Sequence, residues 1–239
     1  LEVVGKLTQG TIHLWNIMKN KMLPTPAKFH YIFNLCELSR VFQGILLTPS
    51  DTIKSGGFRC IEGKSKFTGG GSTLLKIWKH ECMRVFSDKL TNLKDKAVFA
   101  GYMSNQLNET FGPELATECE APFYMVNFLR ADVYDEDGGL VEYAPKMYEP
   151  GGNLDEIRPA VMEFLSKYNV EYPSKKMELV LFNDALEHLL RINRLMEMPR
   201  GSGLLVGVGG SGKQSLVRLS SYISRCINFQ ITLTKSYNR

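Results

Sequence analysis

Seven consecutive residues, Gly207-Val208-Gly209-Gly210-Ser211-Gly212-Lys213, hold four glycines and a lysine and fit the spacing GxxxxGK. Glycines let a backbone fold into a concave nest whose N–H groups point at an anion. A helix opening directly after the nest adds its own N-terminal N–H groups and the positive end of its dipole. Lys213 then brings a point charge toward the outer phosphates. The chemistry predicted for Gly207, Val208, Gly209, Gly210, Ser211, Gly212, Lys213, Gln214 and Ser215 is therefore the cradling of a nucleotide's phosphates, as in ATP or ADP.

Two other readings fit the same residues. Gly207, Gly209 and Gly212 also spell GxGxxG, the dinucleotide fingerprint. That fingerprint wants an acidic residue about 20 positions on, and none of the 26 residues after Lys213 is acidic. An ordinary glycine-rich strand–helix turn has no need of four glycines and a lysine in seven positions. The phosphate loop is preferred, with one defect. The residue after the lysine is normally Ser or Thr, whose hydroxyl binds Mg²⁺. Here it is Gln214, with Ser215 one place later, so Mg²⁺ is expected with weak support. Hydrolysis also needs an acidic strand and a group that orients water. From its downstream sequence the chain is expected to bind nucleotide without turning it over alone, so no catalytic residue is assigned.

Other candidates fail. His80-Glu81 starts like HExxH, but position 84 is Arg84, and His80 reads as a helix-surface residue. His13, His30 and His188 are scattered, and no metal site is expected. Cys36, Cys60, Cys82, Cys119 and Cys226 form no CxxC pair and read as reduced thiols.

Elements must position the loop. Leu204 to Val208 is a short apolar run, predicted as a strand buried on both faces. After the glycines, Leu216, Leu219, Tyr222 and Ile223 make a helical stripe, and Phe229, Ile231 and Leu233 alternate like a half-buried strand. The unit is strand, loop, helix, strand. Upstream, the first 112 residues read as mainly helical. Thr11 to Lys21 carries Ile12, Trp15 and Met18 and ends at Pro24 and Pro26. A second stripe holds Tyr31, Leu35, Leu38, Val41, Phe42, Ile45 and Leu46, closed by Pro49. Residues 50–72, with Gly56-Gly57 and Gly69-Gly70-Gly71, read as a loop. Ser72 is placed to cap a helix whose face is Leu75, Trp78, Cys82 and Val85. In the middle, Phe123 to Leu129 suits a strand, and Asp132 to Glu142 an acidic solvated loop. Asn153 with Glu156 has the form of a capping box, opening the stripe Leu154, Ile157, Val161, Phe164, Leu165, with Pro159 marking a kink or the true helix start. A further helix begins near Asn183 with Leu186, Leu189, Leu190 and Leu195.

Composition bounds the function classes. The chain has 239 residues and 44% hydrophobic ones, enough for one or two domains with real cores. Net charge is +4 and unevenly spread. Residues 1–100 hold 15 basic and 7 acidic side chains, residues 101–200 hold 9 and 18, and residues 201–239 hold 5 and none. The basic first third reads as solvated helix faces, so no nucleic-acid partner is expected. No apolar run approaches the roughly 18–20 residues of a membrane span, and no membrane partner is expected. The missing initiator Met and the acid-free last 39 residues are expected of a piece of a longer chain.

A family resemblance runs along the chain. LLVGVGGSGKQSLVRLSSYI followed by FQITLTKSYN resembles the start of the fourth AAA+ module of an axonemal dynein heavy chain, a family that also has Gln after the GK. YAPKMYEP, the FLSKYN helix and LVLFNDALEHLLRINRLMEMPRG resemble the segment leading into that module. LPTPAKFHYIFNLCELSRVFQGIL and WKHECMRVF are similar to the helical lid of the third module. One departure stands out. The family reads FNLRDLSR in the lid, its first Arg being the sensor for nucleotide bound in the third module. Here that place is Cys36, followed by Glu37, with Arg40 retained. A neutral Cys36 implies weakened sensing there.

The resemblance implies a predominantly helical, mixed α/β fold: a helical AAA+ lid followed by the start of a P-loop α/β domain. It implies a lid over 1–112, a connector with the helices preceding the P-loop over 113–195, and the first strand, loop, helix and second strand over 196–239. It implies an ATP-binding piece of a microtubule motor of cilia or flagella, located in cytoplasm, cytoskeleton and axoneme. The implied partners are neighbouring AAA+ modules, microtubules, and dynein intermediate and light chains. The fourth module's nucleotide would regulate the ring and not drive it. Two alternatives remain at this point: a non-catalytic structural module with a vestigial or permanently filled loop, and a dinucleotide oxidoreductase.

Overall fold

A computed structural model describes residues 2–50, 70–137 and 139–231. The chain divides into two compact units, Leu1–Glu156 and Ile157–Arg239. Among the described residues no helix is long and apolar enough to cross a membrane.

The first unit is built on four long helices: α1 (Glu2–Lys21), α2 (Leu35–Leu46), α3 (Gly70–Cys82) and α4 (Leu93–Phe111), with a short α5 (Pro113–Glu118). Helix α3 runs on into a π-helical turn, Met83–Ser87. The predicted stripe Leu75, Trp78, Cys82, Val85 is buried, and Trp78 is wholly enclosed. It meets Leu7, Leu14 and Met18 of α1, Val41 of α2, and Phe99, Met103 and Leu107 of α4 in one core. Trp78 Nε1 donates to Thr11 Oγ1 at 2.7 Å, so the buried indole N–H is satisfied.

Several sequence expectations shift in this unit. The inward face of α1 is Leu7, Thr11, Leu14 and Met18, and Ile12 is exposed. Thr11 can face inward because its hydroxyl bonds back to Leu7 O. Helix α2 begins only at Leu35, so Tyr31 packs from the preceding segment, while Leu35 and Leu46 are exposed. Asn34 and Glu37 form a complete capping box that sequence reading did not single out. Ser72 is not a cap. The helix already starts at Gly70, and the Ser72 hydroxyl donates to Glu118 on α5 at 2.7 Å. Gly56, Gly57 and Gly69 lie outside the described residues.

Four short strands follow. Strand β1 (Tyr124–Val126) is the inner part of the predicted strand and pairs antiparallel with β4 (Glu149–Gly152). The acidic segment is an exposed hairpin, β2 (Val133–Tyr134) against β3 (Leu140–Glu142). Arg130 holds Glu149 with two hydrogen bonds, of 3.2 and 3.0 Å.

The unit boundary falls inside helix α6 (Leu154–Glu171). The capping box forms as expected: Glu156 N donates to Asn153 Oδ1, and Asn153 N to Glu156 Oε2. Pro159 lies inside this helix and is not its start. The second unit packs α7 (Asn183–Glu197) against α8 (Lys213–Ile223). Leu186, Leu189 and Leu190 are buried on α7, and Leu216, Leu219 and Ile223 on α8. Leu195 is only half-buried. Two side-chain hydrogen bonds pin the pair: Asn193 to Ser224 Oγ at 2.8 Å and Ser220 to Leu189 O at 3.2 Å. Tyr222 meets Tyr168 of α6 edge-on and donates to Glu171 at 2.9 Å.

The predicted buried strand at 204–208 differs. Those residues run without a strand partner among the described residues, with Val206 85% exposed. A run that is apolar on both faces is ordered as a strand only when neighbouring strands and covering helices bury it, and no such neighbour occurs among the described residues. Phe229 and Ile231 are likewise exposed and outside any sheet, and Leu233 lies outside the described residues.

Candidate functional site: a glycine loop at the start of a helix

Helix α8 begins at Lys213 because the loop before it ends in Gly212, held left-handed at φ 76°. No side chain caps this end. The first N–H groups of a helix lack intrahelical acceptors, and here the preceding residue offers none from a side chain. Gly210 is also left-handed, at φ 78°. Two such residues within three positions turn the chain sharply enough to make a concave loop, and side-chain-bearing residues would be strained at both. Gly207 keeps the inside of the loop open in a different way. A Cβ there would approach Ser211 Oγ to 3.3 Å and Lys213 Nζ to 3.4 Å, crowding the inside of the loop.

The Lys213 ammonium lies across this concavity. It donates to Gly207 O at 2.8 Å, Val208 O at 2.6 Å and Ser211 Oγ at 2.9 Å. The cation is thus held at the loop's mouth by weak, exchangeable partners. A phosphate oxygen is a stronger acceptor for an ammonium than a neutral carbonyl. Gln214 is exposed on the first turn, and Ser215 is half-buried beside it. Leu216 turns into the unit's core, anchoring the helix that carries the loop. Gly207, Ser211, Gly212 and Lys213 are therefore gathered at one place, while Val208 and Gly209 form the exposed arm of the loop. These features fit a phosphate group: a loop free of side-chain bulk, an uncapped helix start and a displaceable cation.

The remaining candidates fall elsewhere. Cys36 is exposed at the second position of α2, its N–H held by Asn34 Oδ1 at 2.9 Å. Glu37, next to it, is buried and paired with Lys89 at 2.7 Å. Arg40 is an exposed helix residue, 3.5 Å from Glu37. His80 is not on the surface. It is 6% exposed and sits beside Glu81, which is fully buried, and Tyr148. Nothing local marks that cluster in the sequence, because Tyr148 comes 68 positions later.

A helical lid followed by a glycine loop at the start of a P-loop domain is the arrangement of an AAA+ protein. The AAA+ lid domain model matches residues 7–120, and the model of the P-loop containing dynein motor region D4 matches residues 177–239. The chain is 46% identical over 244 residues to the dynein gamma chain of the flagellar outer arm of Chlamydomonas reinhardtii. It is 44% identical over 239 residues to dynein axonemal heavy chain 5 of Mus musculus, and 39% identical over 239 to dynein axonemal heavy chain 8 of Homo sapiens. These matches cover 98–99% of the chain but only 5% of each relative. The chain belongs to the axonemal dynein heavy chains.

Proposed function

We propose that the loop from Gly207 to Ser215 binds the phosphates of ATP or ADP, within a dynein motor that drives the microtubule-based movement of cilia or flagella. The observation that carries this reading is the Lys213 ammonium held on two loop carbonyls and Ser211, between two left-handed glycines and an uncapped helix start. The backbone N–H groups of Gly209 to Lys213 would hold the inner phosphates, and Lys213 the outer one. Gln214 offers only an amide oxygen to a divalent cation, so Mg²⁺ would be held less tightly than by a hydroxyl at that position. Bound nucleotide would supply the free energy that shifts the module between conformations. This chain's own part is binding and orienting the phosphates.

By the same reading, 1–112 is the lid of the third module, 113–195 the connector with the helices that precede the loop, and 196–239 the opening of the fourth module. The partners are adjoining AAA+ modules, microtubules, and intermediate and light chains, in cytoplasm, cytoskeleton and axoneme. Cys36, at the sensor place of the lid, leaves third-module nucleotide without a positive contact there. The test is ATP affinity of a motor domain containing this segment, with and without Lys213→Ala. Loss of a charge-assisted contact is expected to weaken binding at this site by about ten- to a hundredfold. Equal affinity would remove Lys213 from the phosphate site.

A further inference from the structure

Helix α3 carries a buried hydrogen-bond chain that the phosphate loop does not use. His80 Nδ1 lies 3.1 Å from Phe123 O, and His80 Nε2 lies 3.1 Å from the Tyr148 hydroxyl. Tyr148 donates to Glu81 Oε1 at 2.7 Å, and that oxygen lies 3.9 Å from His80 Nε2. His80, Glu81 and Tyr148 are all less than a tenth exposed.

The partners dictate where protons sit. A backbone carbonyl only accepts, so Nδ1 must carry a hydrogen. Tyr148 has one hydrogen, and an ionised Glu81, which can only accept, takes it at 2.7 Å. The phenol oxygen is then an acceptor, so Nε2 must carry a hydrogen as well. We propose that His80 is an imidazolium, paired through Tyr148 with the Glu81 carboxylate, and that this pair latches the β1–β4 strands onto helix α3. With Glu81 ionised, a neutral ring would leave one of its two nitrogens without a donor hydrogen for the acceptor it faces.

The location gives the latch its consequence. Phe123 immediately precedes β1 and Tyr148 immediately precedes β4. Met125 and Tyr148 pack with Ile77 of α3 in a small separate core. Just before each of the two paired strands, the chain is therefore tied to one ring on the helix. It leaves β4 directly into the capping box of α6, so the latch fixes the point from which it departs. His80, Tyr148 and Glu81 act as positioning residues, and they do so whether or not the glycine loop takes nucleotide.

Other charges border the same cavity of about 220 Å³: Lys76, Lys79, Arg84 and Glu120. The cations oppose a proton on His80. Lys79 donates to Cys119 O, and Arg84 lies 3.3 Å from Asp88. Burial, the largest influence on both, holds the Lys76 and Lys79 ammonium groups below their ordinary range. Glu81, the nearest carboxylate, favours the proton.

Deprotonation at alkaline pH is expected to loosen the strand pair while acid to neutral pH keeps it fastened. The experiment is exchange of the His80 C2 hydrogen for deuterium, followed by mass spectrometry across pH on the full chain. Its midpoint reports the ring's protonation. The midpoint at His80 is expected about one pH unit or more above that of the exposed His13. Glu81→Gln, which keeps an acceptor oxygen and removes the charge, is expected to lower the His80 midpoint and leave His13 in place. A His80 midpoint at or below that of His13 in the unaltered chain overturns the proposal. So does an unchanged His80 midpoint in Glu81→Gln.

Discussion

Helices α3 and α8 are both amphipathic, and they treat their polar groups in opposite ways. On α3 most polar side chains of the inner face are bonded internally, the buried Thr73 hydroxyl being an exception. Trp78 is bonded to Thr11, Ser72 to Glu118, and His80 to Phe123 O and Tyr148. On α8 the apolar face is buried as securely, with Leu219 wholly enclosed. Yet its first turn is left open, with glycine before it and Lys213 resting on loop carbonyls. A scaffold satisfies its donors at home, whereas a binding site keeps some for a ligand. The difference lies in the polar residues and not in hydrophobic content.

If that contrast holds, changes in the two helices should separate stability from binding. The largest effect is expected from Trp78→Ala. It empties the centre of the first unit, at a cost of about 3–5 kcal/mol, measurable by denaturant unfolding. Lys213→Ala should weaken nucleotide binding about ten- to a hundredfold with almost no change in unfolding midpoint. A large loss of stability from Lys213→Ala would break the contrast, because the ammonium would then be structural. A smaller gain, about three- to tenfold, is expected in third-module nucleotide affinity for Cys36→Arg, which restores a charge at an exposed first-turn position.

The smallest effect concerns an ion pair that only trims the first unit. Lys28 lies 2.5 Å from Asp95, and Tyr31 donates to the same oxygen at 2.9 Å. The hydrogen bond from Lys28 is the main cause holding the Asp95 carboxyl below its ordinary value. Its contribution to stability is therefore present above about pH 4, the unfolded-chain value, and lost as pH falls through the folded one. Asp95→Asn should remove that acid-side step from the pH dependence of unfolding and leave nucleotide binding untouched.

The conformation of the candidate loop was legible in the sequence because it is local. Four glycines and Lys213 lie within seven residues, and the conformations they need are set by backbone alone. The inner face of α3 was legible too, since Leu75, Trp78, Cys82 and Val85 repeat at helical spacing. The face of α1 was misjudged because Thr11 is polar by type and inward by virtue of a bond to Leu7 O. The role of His80 escaped because its partners come from Phe123 and Tyr148, brought near by folding. The run at 204–208 has the composition of a strand, but composition does not provide the neighbour that makes it one.

The central claim is that the open start of α8 is a nucleotide-phosphate site. The most direct measurement is amide hydrogen exchange over Gly207–Leu216, with and without saturating ATP, in a motor domain containing this segment. Marked protection of those amides by ATP, abolished by Lys213→Ala, is the expected result. Identical exchange in the presence and absence of ATP would contradict it.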